Sequence, residues 1–286
     1  MICIISPHLD DAIFSMSNFL LKYKGNVIIC TIFTKEFTKI KFFDDYKYYA
    51  DTQKRKQEDQ KAIIELKKRN KNIRIKMIYL NLYDDLFRYY ISNANINIHI
   101  ELIQVLTKIK NKYNFQKIFC PLGIGNHPDH LLTYDYITKI FNFQNLYYYY
   151  DYPYCCLKLN VFNRLKYLNL SNYHDIDLEL KDFINYYQHP IYKSTNIVIR
   201  ILRMTKIFCT YYIDKIYLLF NNYFQYSNNM KNKIEFRINK INNFQKKYQI
   251  IKHYYTQIIP IFGNSISLYN NLKINNQEYY IKIKKD

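Results

Sequence analysis

The chain has 286 residues, 49% of them hydrophobic, and a formal net charge of +19 at pH 7. That apolar content supports a sizeable core and excludes a disordered chain; the length fits one large α/β body or a core with an elaboration. The lysines are spread along the sequence with no helix-turn-helix, RRM or zinc-finger pattern, and the abundant Asn, Ile, Lys and Tyr share A/T-rich codons. The charge therefore reads as compositional, and no specific nucleic-acid partner is expected.

Residues 1–6 form a short apolar run, a first strand. Asp10 or Asp11 then starts a helix carrying Ile13, Phe14, Phe19, Leu20 and Leu21, which Gly25 ends. Residues 26–34 are continuously apolar and β-branched, the mark of a strand buried on both faces. A charged helix is expected over 48–70, a strand over 75–82, a helix over 96–113 and a strand over 117–121. Pro128 suits the first position of a helix reaching about residue 143, and 146–150 is a further strand. Beyond about residue 155 the pattern blurs. Helices are expected over 177–188 and 196–221, a basic and partly helical stretch over 230–255, and an alternating strand over 277–285.

Strands alternating with helices imply an α/β fold, a Rossmann-like and mostly parallel sheet flanked by helices, with a helix-rich C-terminal elaboration. No Gly/Ser/Pro linker divides the chain. Residues 1–155 are read as the core, and residues 156–286 as an elaboration that packs on it and completes a substrate pocket. No C-x-x-C pair is present among the six cysteines, and no charge-free run is long enough to span a membrane. With a site-like segment starting at residue 6 and no visible leader, a reducing cytoplasm is the expected location.

Chemistry concentrates in two segments, Ser6-Pro7-His8-Leu9-Asp10-Asp11-Ala12 and Asn126-His127-Pro128-Asp129-His130. Each follows an expected strand, and ligands of open parallel sheets bind beyond the carboxyl ends of the strands. His8 and Asp11, like His127 and His130, stand three residues apart at a helix start, so one turn brings each pair together. A His₂Asp set of His8, Asp11 and His130 suits Zn²⁺, with Fe²⁺ or another first-row ion also fitting. Asp10 is then free to take a proton from water, His127 to face a substrate carbonyl, and Asp129 to fix the tautomer of an imidazole. Helix capping is the ordinary alternative for Asp10, Asp11 and Asp129. Gly123 and Gly125 read as a flexible approach that lets His127 swing over the ion. His99 reads as a surface residue, while His189 has a minor claim on the site.

These two motifs resemble the signatures of the PIG-L/LmbE-like zinc deacetylases, whose first motif usually reads H-P-D-D. Here Leu9 replaces the Pro, as in a bacterial branch. The resemblance covers about residues 1–155. It implies a Rossmann-like sheet and removal of an N-acetyl group from an N-acetylglucosamine-type sugar or glycoconjugate. It further implies zinc held by His8, Asp11 and His130, with Asp10 as general base and His127 stabilising the tetrahedral intermediate. Arg55 and Glu58 resemble the family's R-x-x-E, Asp84 falls in a segment (Asn81-Leu82-Tyr83-Asp84) similar to the one after its third strand, and Asp151 in one (Tyr150-Asp151-Tyr152-Pro153-Tyr154) similar to a tyrosine- and acid-bearing stretch of that branch; all four are candidate substrate contacts. The alternatives are hydrolysis of another amide, such as a thiol–sugar conjugate, and a non-catalytic basic relic that binds glycans or RNA.

Overall fold

The computed structural model describes residues 1–37, 51–88, 94–170, 176, 179, 182, 233–240, 244–275 and 277–284. Within them the elements in chain order are β1 (Ile2–Ser6), α1 (Asp11–Lys22), β2 (Gly25–Thr31), α2 (Thr52–Arg69), β3 (Ile73–Tyr79), α3 (Asp85–Arg88), α4 (Ala94–Lys112), β4 (Lys117–Pro121), α5 (Pro128–Ile140), β5 (Leu146–Tyr149), α6 (Lys158–Tyr167), β6 (Lys233–Lys240), α7 (Phe244–Ile251), α8 (Tyr255–Phe262), α9 (Ser265–Ile274) and β7 (Gln277–Lys284).

The strands form one seven-stranded sheet in the order β3-β2-β1-β4-β5-β7-β6. The first five run parallel, while β7 is antiparallel to β5 and β6 is antiparallel to β7. Alternation explains how β1 and β2 are buried on both faces. Ile2, Ile4, Val27 and Ile29 face a core closed by α1, α2, α7, α8 and α9. Cys3, Ile5, Ile28 and Cys30 face a second core beneath α4, α5 and α6. Ile98, Leu102, Leu106 and Ile109 recur at helical spacing and give α4 its inner stripe. The chain runs outward from β1 through β2 and β3 on one side, and from β4 to β5 on the other. The order therefore reverses between β1 and β4, and both His/Asp segments leave the sheet there.

Several boundaries differ from expectation. Gly25 begins β2 at φ +128° rather than ending α1, whose last turn is closed by Tyr23 N–H to Phe19 O. β3 lies over Ile73–Tyr79, two residues before the expected start. Residues 80–82 then leave the ladder, although the Leu80 and Leu82 N–H groups still reach Thr31 O and Ile32 O. α5 stops at Ile140, capped by Phe141. Within the basic stretch 230–255, residues 233–240 form a strand rather than helix, paired along its length with β7. The helix expected over 196–221, and all of the one expected over 177–188 except residues 179 and 182, lie outside the described residues. No described helix is long and apolar enough to cross a membrane.

Two buried polar links tie the C-terminal elements to the front of the sheet. Glu278 of β7 accepts hydrogen bonds from the Asn18 side chain (2.7 Å) and the Phe19 N–H (3.1 Å) of α1, and pairs with Lys247 of α7 at 2.9 Å. Asp59 of α2 accepts from Tyr254 Oη at 2.6 Å and Tyr79 Oη at 3.2 Å.

Breaking a buried pair leaves a lone charge, typically at about 3–5 kcal/mol. Lys247→Met should therefore lower unfolding stability by roughly that amount in chemical denaturation. A second expectation concerns pH. Burial pushes the Asp59 carboxyl up to about 7 despite its hydrogen bonds. Between the ordinary carboxylate value of about 4 and that raised value, the folded state keeps a proton that the unfolded chain has lost. Its contribution is thus present in acid and fades as pH rises through about 7. Asp59→Asn should flatten this decline, read as the difference between wild-type and variant melting temperatures across the window.

Candidate active site

Ser6, the last residue of β1, shapes the first half of the site. Its hydroxyl donates to His8 O (2.6 Å) and accepts from Ala12 N–H (3.0 Å), which folds residues 7–11 into a tight turn. The Asp10 carbonyl receives the first helical N–H groups of α1, but its carboxylate makes no capping bond. Asp11 Oδ2 accepts the His8 N–H at 2.8 Å and turns toward the imidazoles.

The second half is set by β4. Its exit loop passes through Gly123, Gly125 and Asn126, all at positive φ, to His127, the N-cap of α5, with Pro128 following it. This loop is tied down, contrary to the expected swinging approach. Asp151 Oδ2 accepts the Gly123 and Ile124 N–H groups at 2.8 Å each, and Arg164 Nε donates to Leu122 O at 2.7 Å. A side chain at Gly125 would collide with the ring of Tyr154.

The halves converge. His8 Nδ1 lies 3.1 Å and His130 Nε2 3.3 Å from the same oxygen, Asp11 Oδ2. All three residues are buried, with donor atoms within 4.8 Å of one another. Two tetrahedral zinc ligands at bond lengths of about 2.0–2.1 Å stand roughly 3.3 Å apart. The donor set and its spacing therefore fit a divalent cation. Burial disfavours charge on both imidazoles, yet the surrounding carboxylates win: Asp84 and Asp11 raise His8, and Asp11 and Asp151 raise His130 to about 10. The same contacts hold Asp11 below its usual range against its own burial. A cation binding here would displace protons held between these groups.

A second group, His8, His127 and Asp129, also falls within ligand distance. Asp129 is engaged elsewhere, however. Its Oδ2 meets His8 Nε2 at 3.0 Å and the Asp85 N–H at 2.9 Å, and its Oδ1 meets Arg88 at 2.6 Å. Although it is buried, the His8 and Arg88 contacts lower it to about 2. His127 Nδ1 accepts the Asp129 N–H at 3.2 Å, which leaves Nε2 to carry the proton of the neutral ring. Burial, then the positive charge of His8 and His130, lowers His127 to about 3. Burial, then the charge of Asp11, raises Asp10 to about 6, with Arg55 and His8 opposing.

The four candidate substrate residues divide into two pairs. Arg55 and Asp84 line a cavity of about 340 Å³ over the cluster, together with His8, Asp10, His127 and His130. Arg55 is buried, with Nη2 3.4 Å from Asp10 Oδ1 and Nη1 3.8 Å from Asp84 Oδ2. Glu58 and Asp151 are not among the lining residues. Glu58 accepts the Thr256 N–H (3.0 Å) and hydroxyl (2.6 Å), and Asp151 Oδ1 binds His130 Nδ1 at 2.7 Å. His99 is exposed and bonds Tyr136 Oη, and His189 lies outside the described residues. Arg88, Arg164 and Gln257 went unread in the sequence, and Tyr154 figured only as part of the tyrosine- and acid-bearing stretch around Asp151. Only Gln257 carries a usable signal, standing at i, i+3, i+4 with Pro260 and Ile261 on one face of α8.

Fold and site together define a class: a Rossmann-like α/β protein with a His₂Asp candidate cation site at the point where its strand order reverses. Residues 3–141 match the model of one family, PIG-L, the GlcNAc-PI de-N-acetylases. Solved structures with the same fold include the zinc-inhibited form of teicoplanin deacetylase Orf2 (14% identity, 100% of this chain and 99% of that chain, TM-score 0.60). Another is the A40926 pseudoaglycone deacetylase Dbv21 (14% identity, 100% of this chain and 98% of that chain, TM-score 0.57). No curated protein sequence matches the chain.

Asp151→Asn should weaken the cluster without removing a donor from it. Loss of such an orienting carboxylate typically costs about 10–100-fold in metal affinity. Equilibrium dialysis against zinc measures the change.

Proposed function

We propose that this protein hydrolyses the N-acetyl group of an N-acetylglucosamine-type sugar or glycoconjugate, with zinc held by His8, Asp11 and His130. The observation that carries the reading is the convergence of these three donors beside an Asp10 carboxylate that caps nothing. Support also comes from the PIG-L family match over residues 3–141 and from the deacetylases that share the fold. The His₂Asp donors suit zinc, and ferrous iron is the next candidate.

When bound, the ion supplies Lewis acidity, acidifying a water molecule and polarising the amide carbonyl. Asp10 takes the proton of the attacking water on a carboxylate steadied by Arg55 at 3.4 Å. His127, neutral and protonated at Nε2, donates to the carbonyl oxygen as negative charge develops there. Asp10 then returns its proton to the leaving nitrogen, giving acetate and a free amine. Asp129 contributes indirectly by holding His8 Nε2, itself fixed by Arg88. Arg55 and Asp84, on the cavity wall, bind polar groups of the sugar.

In the same reading, residues 1–155 carry the reaction and residues 156–286 complete the pocket, to which α8 contributes Gln257, Pro260 and Ile261. The substrate is the expected partner, and cytoplasmic location is part of the proposal, in keeping with five described cysteines as free thiols.

Asp10→Asn should retain metal but lose about 10²–10⁴ in turnover. His127→Ala should lose about 10²–10³. His130→Ala should lose the ion. Acetate release from N-acetylglucosaminides, together with elemental analysis of the purified variants, checks all three. Near-normal turnover by Asp10→Asn, or unchanged metal in His130→Ala, removes the corresponding role.

A further inference from the structure

Arg55 stands among carboxylates. Its guanidinium lies 3.4 Å from Asp10 and 3.8 Å from Asp84. A third carboxyl, Asp59, sits one turn further along α2, at the i, i+4 spacing that makes helical side chains neighbours. Asp10, Arg55 and Asp59 are all buried. Three ionised carboxylates set against one guanidinium in such a place leave negative charge that water does not solvate. Keeping one of the three as the neutral acid relieves it.

The surroundings of Asp59 suit that form. Tyr254 Oη donates to Oδ1 at 2.6 Å, and Tyr79 Oη lies 3.2 Å from Oδ2. A hydroxyl accepts as well as donates, and Tyr79 Oη also lies 4.0 Å from Met77 Sδ. With a proton on Oδ2, Asp59 donates to Tyr79, which turns its own hydrogen to the sulfur. The elements packed against α2 are α1, α7, α8 and β3. From them Asp59 meets Asp10 at the head of α1, Tyr254 before α8 and Tyr79 of β3. The α7 helix brings apolar Ile250 and Ile251, and its Lys247 is engaged by Glu278. On α2 itself, Glu58 is held by Thr256 and Lys56 lies over the Tyr79 ring. Burial pushes the Asp59 carboxyl up to about 7 against its tyrosine hydrogen bonds, with Asp10 adding to the rise and Arg55 opposing it.

We propose that Asp59 is a positioning residue for the hydrolysis and acts through Arg55: as the neutral acid it leaves the guanidinium to Asp10, and as the carboxylate it draws the guanidinium along α2 and loosens its hold on the base. Asp59 is not among the residues lining the cavity, so it governs the reaction from behind the wall. This inference rests on the deacetylase reading above, in which Asp10 is the base.

The test is the pH dependence of kcat/KM for zinc-loaded wild type and Asp59→Asn, with an N-acetylglucosaminide as probe. Asn keeps the uncharged form at every pH, with an acceptor for Tyr254 and a donor for Tyr79. Limbs common to both proteins cancel in the ratio of variant to wild type. That ratio should rise about tenfold between about pH 6 and about pH 9, as expected for loss of one hydrogen bond to a charged group in the wild type. A purely structural role lowers the ratio by one factor throughout, so a ratio that stays flat or falls with pH overturns the proposal. In an Arg55→Gln background, adding Asp59→Asn should leave the profile unchanged, and a persisting rise overturns the route through Arg55. A second readout needs no turnover. The NMR signal of Arg55 Nε, assigned by its loss in Arg55→Gln, should shift as pH passes about 7 in the wild type and lose that step in Asp59→Asn. Acetate release without the step or the rise overturns the positioning role and leaves the deacetylase reading standing. The step with no acetate release from any N-acetylglucosaminide overturns the reaction and leaves the coupling of Asp59 to Arg55 standing.

Discussion

One carboxylate oxygen organises the molecule. Asp11 Oδ2 receives an imidazole from its own turn and another from a helix start over a hundred residues later, all within a buried volume. Charges removed from water must be neutralised in place. Once β1 and β4 lie side by side, the turn after each is obliged to present compatible partners, so the strand-order reversal and the His/Asp chemistry are two views of the same constraint.

Around that oxygen the polar groups form a layered arrangement. His130 is braced by Asp151, which also clamps the loop leading to it. His8 is braced by Asp129, which is in turn held by Arg88. Each imidazole therefore has one nitrogen toward Asp11 and the other against a second carboxylate. That fixes ring orientation before any ligand arrives, and a site of this kind spends little binding energy on ordering its own side chains.

The first half of the fold was readable because its signals are local. Apolar runs of strand length, a Pro at a helix start and the two compact motifs all act within a few residues, so periodicity located β1, β2, β4 and α5, and the motifs singled out the His and Asp residues that the structure brings close together. Glu58 and Asp151 show where that legibility ends. Their place in a motif was visible, but Glu58 meets Thr256 198 positions away, and Asp151 turns back to the loop after β4. No spacing rule exposes such partners. β6 is a different failure. Ile234, Phe236 and Ile238 alternate in the sequence, yet the surrounding basic residues masked a pattern that pairing with β7 makes decisive.

The buried Glu278 has a consequence for how the chain comes to be folded at all. During synthesis the parallel strands leave the ribosome long before β7, so the growing polypeptide carries β5 as an open edge, and α1 lacks the carboxylate that later joins it to Lys247. Exposed strand edges invite pairing with other chains. Closure of that edge therefore waits for β7, the last described strand, and pairing with other chains is the hazard of the interval.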